Sequence, residues 1–184
     1  RAYAYVSAAQ YDALIACWYY KTKYNQAAPY KNDSSVSARF INKTDLPAYP
    51  SEAAVLAGVA AEMMKLLFPG EIASIQEKAT EQEQAAIASG AATRAGVVAG
   101  EALGRRIAQV FIARARGDHA GTAGGNPTIW TNFETTALGS GETPWYSLEV
   151  PRRPPMLPLF SKVLPFLFDS AAIPSFRPGP PPST

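Results

Sequence analysis

Residues 49–53, "YPSEA", hold the first chemistry on offer. Pro50 and Ser51 stand at an expected helix start, with Glu52 in the first turn. A serine there accepts a free backbone N–H, and the unpaired amides of such an end favour an anion. Catalysis on a bound anion also needs a proton carrier. The chain has a single histidine, His119, in "RGDHAGTAGG". No histidine pair is therefore available for zinc, and neither a Walker loop nor a Rossmann glycine pattern is present. "GTAGG" fits a flexible turn better than a phosphate cradle. A serine-histidine-aspartate arrangement would have to use His119, and no nucleophile elbow accompanies it. Cys17, the single cysteine, sits in the apolar run "ALIACWYY". It is expected as a small buried hydrophobe rather than a reactive thiol, and it excludes an internal disulfide.

Helices must position these groups. Residues 2–24 have helical spacing on two adjacent stripes, one through Tyr5, Ala9, Asp12, Ala16 and Tyr19. The neighbouring stripe runs through Ala4, Ala8, Tyr11, Ile15 and Trp18. Being apolar nearly all round, this helix is expected at the centre. A loop is expected over 25–50, with turn formers in "KNDSS" and "NKTDLP". The second helix starts after Ser51 and stops at "FPG", where Pro69 and Gly70 break it. Residues 71–88 form a polar amphipathic helix whose glutamates face water. A further helix covers 91–116. In it Gly96, Gly100 and Gly104 fall on one face, which predicts a close approach by another backbone.

From residue 117 the character changes, and most of the 16 prolines follow. Two regions are expected: a helical core, 1–116, and an irregular Pro/Gly-rich C-terminal wrap and tail, 117–184. The final "FRPGPPPST" is expected to extend as polyproline II. The helical pattern is already under way at Arg1, so a processed or truncated start is expected.

The chain's 184 residues suffice for a real core, with 47% apolar and 17% charged residues. The net charge of +2 and the absence of a basic stripe argue against nucleic-acid binding. No uncharged apolar run approaches the ~18 residues of a membrane span.

Four stretches together resemble the type 2 phosphatidic acid phosphatase and vanadium-dependent haloperoxidase superfamily, especially its bacterial haloperoxidase-like branch. "DALIACWYYKTKYNQAAP" is similar to the helix that ends in the family's K-xxxxxx-R-P motif. "YPSEAAVLAGVAAEMMKLLFP" is similar to the P-S-G-H helix, often P-S-E-H in this branch. "AGEALGRRIA" resembles the segment after the S-R-xxxxx-H-xxx-D motif, and "PLFSKVLPFLFDSAAIPSFRPGPPP" the branch's C-terminal wrap. The implied fold is all-α: a helical bundle of the acid phosphatase/vanadium haloperoxidase type with a long irregular Pro-rich wrap. The family's earlier N-terminal helices have no counterpart among these segments.

The resemblance implies an oxyanion pocket built from a lysine, two arginines, a serine, a glycine amide and two histidines, with an aspartate orienting one of them. Position by position, Lys21 matches the lysine and Ser51 the serine. Ala28 stands at the first arginine, Glu52 at the glycine and Ala53 at the first histidine. With "AGEALGRRIA" fixing the frame, Ala86 stands at the second arginine, Ala92 at the second histidine and Gly96 at the aspartate. Setting Thr93-Arg94 against the S-R pair recovers one arginine but puts Gly100 at the histidine. Each missing acid–base group costs ~10²–10⁴ in rate. Without the nucleophile the covalent route is closed.

The resemblance therefore implies a catalytically retired member, with no catalytic residues, no metal and no cofactor; vanadate is expected in active relatives only. Lys21 and Ser51 remain as a residual anion pocket. The implied role is that of an accessory, structural or ligand-binding subunit of a larger protein assembly. Alanines 28, 53 and 92 could also line a site for a small hydrophobic ligand. The alternative is an enzyme with residual phosphatase or haloperoxidase activity, or one rebuilt around Lys21, Asp12, Glu52 and Arg94. Relatives in this branch are often exported, which implies a periplasmic or cell-surface setting.

Overall fold

The computed structural model describes residues 1–38 and 46–179. Among these residues all regular structure is helical, with no strand. The chain divides into two compact units, Arg1–Arg114 and Ala115–Thr184.

In the first unit, helix α1 spans Ala2–Tyr24 and a single turn, α2, spans Pro29–Asn32. Helices α3 (Glu52–Leu67), α4 (Ile72–Ala88) and α5 (Arg94–Gly117) follow, the last three residues of α5 falling in the second unit. Helix α3, not α1, is central. It packs against α1 and α4 and buries Ala54, Val55, Ala57, Gly58, Val59, Ala61 and Met63. Met63, Val55 and Val59 are its largest fully buried side chains. Lys65 Nζ ties α3 to α4 by donating to Gln76 Oε1 at 2.6 Å. At the other end, Gln82 Nε2 donates to the Ala53 carbonyl at 3.2 Å.

The central placement expected for α1 is corrected. It buries one stripe, Tyr5, Ala9, Ala13, Cys17 and Lys21. On its other side Tyr3, Tyr11, Ile15 and Tyr19 are 91%, 66%, 54% and 61% exposed. A sequence apolar on every face does not say which face packs. The choice falls on Ala9, Ala13 and Cys17, whose small side chains let α3 come close.

The glycine face of α5 meets α3, as its spacing predicts. A Cβ on Gly100 would lie 2.5 Å from the Ser51 carbonyl oxygen, and one on Gly104 would overlap the Val55 carbonyl. The contact is reciprocal, because a Cβ on Gly58 would lie 2.7 Å from the Glu101 carbonyl oxygen. Helix α5 begins three residues later than its apolar pattern suggests. The Thr93 hydroxyl accepts the Gly96 N–H at 3.0 Å and so stops the helix from extending backward. The "NKTDLP" turn lies largely outside the described residues, which omit 39–45.

The second unit is less irregular than its composition suggests. Helix α6 spans Pro127–Gly139, with Pro127 in its first turn. Asn126 caps it by accepting the Ile129 N–H at 3.1 Å. Its threonines and β-branched residues are weak helix formers, which hides it from a propensity reading. The Asn-Pro start was the available signal. Trp130 Nε1 donates to the Gly124 carbonyl at 2.8 Å, fixing the preceding glycine turn to α6. Beyond it, short 3-10 turns cover Phe160–Lys162 and Ser170–Phe176. Of the stretch expected to extend as polyproline II, Phe176 instead closes the last 3-10 turn, and residues 180–184 lie outside the described residues.

Candidate functional site

A cavity of about 230 Å³ opens at the N-terminal end of α3. Four segments build it. The C-terminal half of α1 supplies Lys21, and the chain then turns at Asn25, whose φ of 45° is left-handed. The Gln26 carbonyl accepts the Ala48 N–H at 2.7 Å, which brings the segment before α3 back beside α1. The Ser51 N–H donates to the Gly96 carbonyl at 2.9 Å, tying that segment to the start of α5. Finally, the Ala92 N–H donates to the Ala86 carbonyl at 3.1 Å, folding the α4–α5 turn so that both alanines reach the cavity.

Lys21, Ala28, Ser51 and Glu52 all line this cavity. So do Ala53, Ala86 and Ala92. Seven positions spread over 72 residues of sequence are thus brought to one place. Gly96 does not line the wall but holds Ser51 through its carbonyl. Asp12 and Arg94 are exposed and do not line it, so of the residues suggested for a rebuilt site only Lys21 and Glu52 meet here. His119 is exposed in a turn of the second unit. Nothing in the sequence spacing points to Tyr30 or Pro47, which also line the cavity. Trp18 had a signal: it lies one helical turn before Lys21 on α1.

Lys21 is 6% exposed. Its Nζ donates to the Pro47 carbonyl at 2.6 Å and lies 5.5 Å from the centre of the Trp18 ring. A carbonyl dipole and a ring face together offset part of the lost hydration. Ser51 is 4% exposed, and its hydroxyl oxygen accepts the Ala54 N–H at 3.4 Å, capping α3. Acceptance leaves the hydroxyl proton free to donate. Glu52 is half-buried and forms no ion pair with Lys21. Among the described residues these are the wall's two charges, and they cancel.

Cys17 reports on the same neighbourhood. It is fully buried, and its thiol lies 3.8 Å from the Pro50 carbonyl oxygen. Burial pushes its pKa up to about 11; the Lys21 charge opposes the shift and the Glu52 charge adds to it. The thiol is protonated at neutral pH and is no nucleophile.

Among the described residues no group of three side chains is arranged to hold a metal ion. No helix there is long and apolar enough to cross a membrane. No protein-family model, curated protein or solved structure matches this chain.

Proposed function

We propose that the chain is a catalytically retired relative of the phosphatidic acid phosphatase and vanadium haloperoxidase superfamily, and that its emptied site binds rather than transforms. One observation carries this reading. Seven of the eight positions that the resemblance assigns to an oxyanion pocket line a single cavity, Gly96 being the exception, and four of the seven are alanine. Among the described residues such a wall has one ammonium against a carboxylate and no imidazole. Among the described lining residues, a multiply charged oxyanion drawn into it would trade its hydration for the attraction of Lys21, with Glu52 opposing.

The accessory role rests on α1. Tyr3, Tyr11, Ile15 and Tyr19 recur every fourth or eighth residue and are exposed along the length of the helix. Ser7 interrupts this stripe, but an exposed run of large side chains from Tyr11 to Tyr19 is the kind of patch that marks an interaction face. A partner subunit of a larger assembly would cover it.

The test is turnover of p-nitrophenyl phosphate, and of bromide with peroxide and vanadate, by the wild type and Lys21→Ala. Both proteins are expected to match the buffer blank. Turnover that disappears in Lys21→Ala would favour the alternative, an enzyme with residual or rebuilt activity. The assembly claim is tested separately by the native mass of the complex recovered from the source cells. A lone monomer there contradicts it.

A further inference from the structure

The two charges that line the cavity among the described residues suggest what it holds. Lys21 Nζ has three donors, and the Pro47 carbonyl takes one. Glu52 borders the same space without neutralising the lysine. The rest of the wall is mostly apolar: Ala28, Ala53, Ala86 and Ala92 line it together with the larger Trp18, Tyr30 and Leu46. At about 230 Å³ the space falls below the ~300–1,000 Å³ of drug-sized sites, so the occupant is small.

Three ligand classes fit poorly. Among the described residues a dianion meets one cation and one opposing carboxylate. A purely apolar molecule would strip water from Lys21 and Glu52 and give neither a partner. A simple monocarboxylate would satisfy Lys21 but face Glu52. A zwitterion satisfies both ends at once.

We propose that the cavity binds a small aliphatic α-aminocarboxylate, its carboxylate on Lys21 and Ser51, its ammonium on Glu52 and its side chain against the alanines. This rests on the reading that the site binds without catalysis. It names the ligand class that reading leaves open.

The experiment is calorimetric titration of the full chain with four probes: L-valine, isovalerate, isobutylamine and orthophosphate. Isovalerate is valine without its ammonium, and isobutylamine is valine without its carboxylate. Valine is expected to bind at least about tenfold more tightly than either, the worth of one charge-assisted hydrogen bond. Glu52→Gln, with unchanged helical circular dichroism, is expected to weaken valine by about tenfold and to tighten isovalerate. That crossover is the signature, since a merely structural role for Glu52 would move both ligands together. Equal binding of valine and isovalerate, or an unchanged order in Glu52→Gln, overturns the proposal. Silence of all four probes overturns it too, while the retired reading stands. Orthophosphate binding above valine, accompanied by phosphoester turnover, defeats both.

Discussion

Where α3 crosses α5, two backbones meet with no side chain between them; at its N-terminal end the same helix borders open space. The crossing is set by glycine on both helices, Gly58 facing Glu101 and Gly104 facing Val55. The cavity is set by alanine, at 53, 86 and 92. Both regions use small side chains, but with opposite results. At the crossing, smallness is consumed by close approach and nothing larger fits. At the cavity, smallness is left over as volume. Low side-chain size is therefore structural in one place and a candidate for function in the other. Substitution by a larger residue separates the two cases.

The largest effect is expected at the crossing. Gly104→Val places a branched side chain where even a Cβ overlaps the Val55 carbonyl, a rigid backbone atom. The helices must separate, at a cost of about 3 kcal/mol or more. Gly100→Ala meets the Ser51 carbonyl oxygen at 2.5 Å. Overpacking costs ~1–3 kcal/mol, and the better helix propensity of alanine returns up to ~1. The expected net loss is therefore about 1–2 kcal/mol. Urea midpoints followed by the helical signal give both values. If Gly100→Ala stabilises the protein, the crossing is looser than described.

How far the sequence announces each region follows from these contacts. The crossing was legible because a four-residue glycine repeat on a helix has one geometric meaning. The cavity is not legible from periodicity, since no spacing rule joins Ala28 to Ala86. Lys21 meets Pro47 because Asn25 turns the chain and the Gln26 carbonyl catches Ala48, neither of which a helical pattern encodes. The expectation that α1 is central fails for a related reason. Tyrosine counts as apolar in a pattern yet tolerates water at its hydroxyl, so α1 looked buried on faces that carry Tyr3, Tyr11 and Tyr19 outward. Helix α6 was hidden by weak intrinsic propensity; its caps and the Trp130 bond, not its composition, define it.

Two intermediate effects probe the boundary between the regions. Ser51→Ala removes the cap of α3 and should cost ~1 kcal/mol in the same urea assay. A loss well above ~2 kcal/mol would mean that the hydroxyl also supports the cavity wall. Cys17 gives the pH dependence. Its folded pKa, about 11, lies above the ordinary 9.0. The unfolded chain therefore releases its thiol proton first, and folding stability falls as pH rises from about 9 to about 11. Below that window the contribution is intact. At pH 10 the loss is on the order of 1 kcal/mol. Cys17→Ala should remove this part of the alkaline slope; identical slopes in the two proteins would show that the thiol is not held in a dry site.

The smallest effect is expected inside the cavity, and it bears most directly on the comparison. Ala53→Leu adds a side chain that the cavity has room to take. Leucine is nearly as good a helix former as alanine, so propensity changes little. Filling an empty apolar space commonly gains ~0.5–2 kcal/mol, but the added side chain also displaces water near Lys21 and Glu52. The two terms offset, and the urea midpoint should move by less than about 0.5 kcal/mol. The same substitution should abolish valine binding by occupying its site. A loss comparable to that of Gly100→Ala would put the N-terminal end of α3 in the same close-packed class as its crossing with α5, and the distinction between consumed and spare volume would fail.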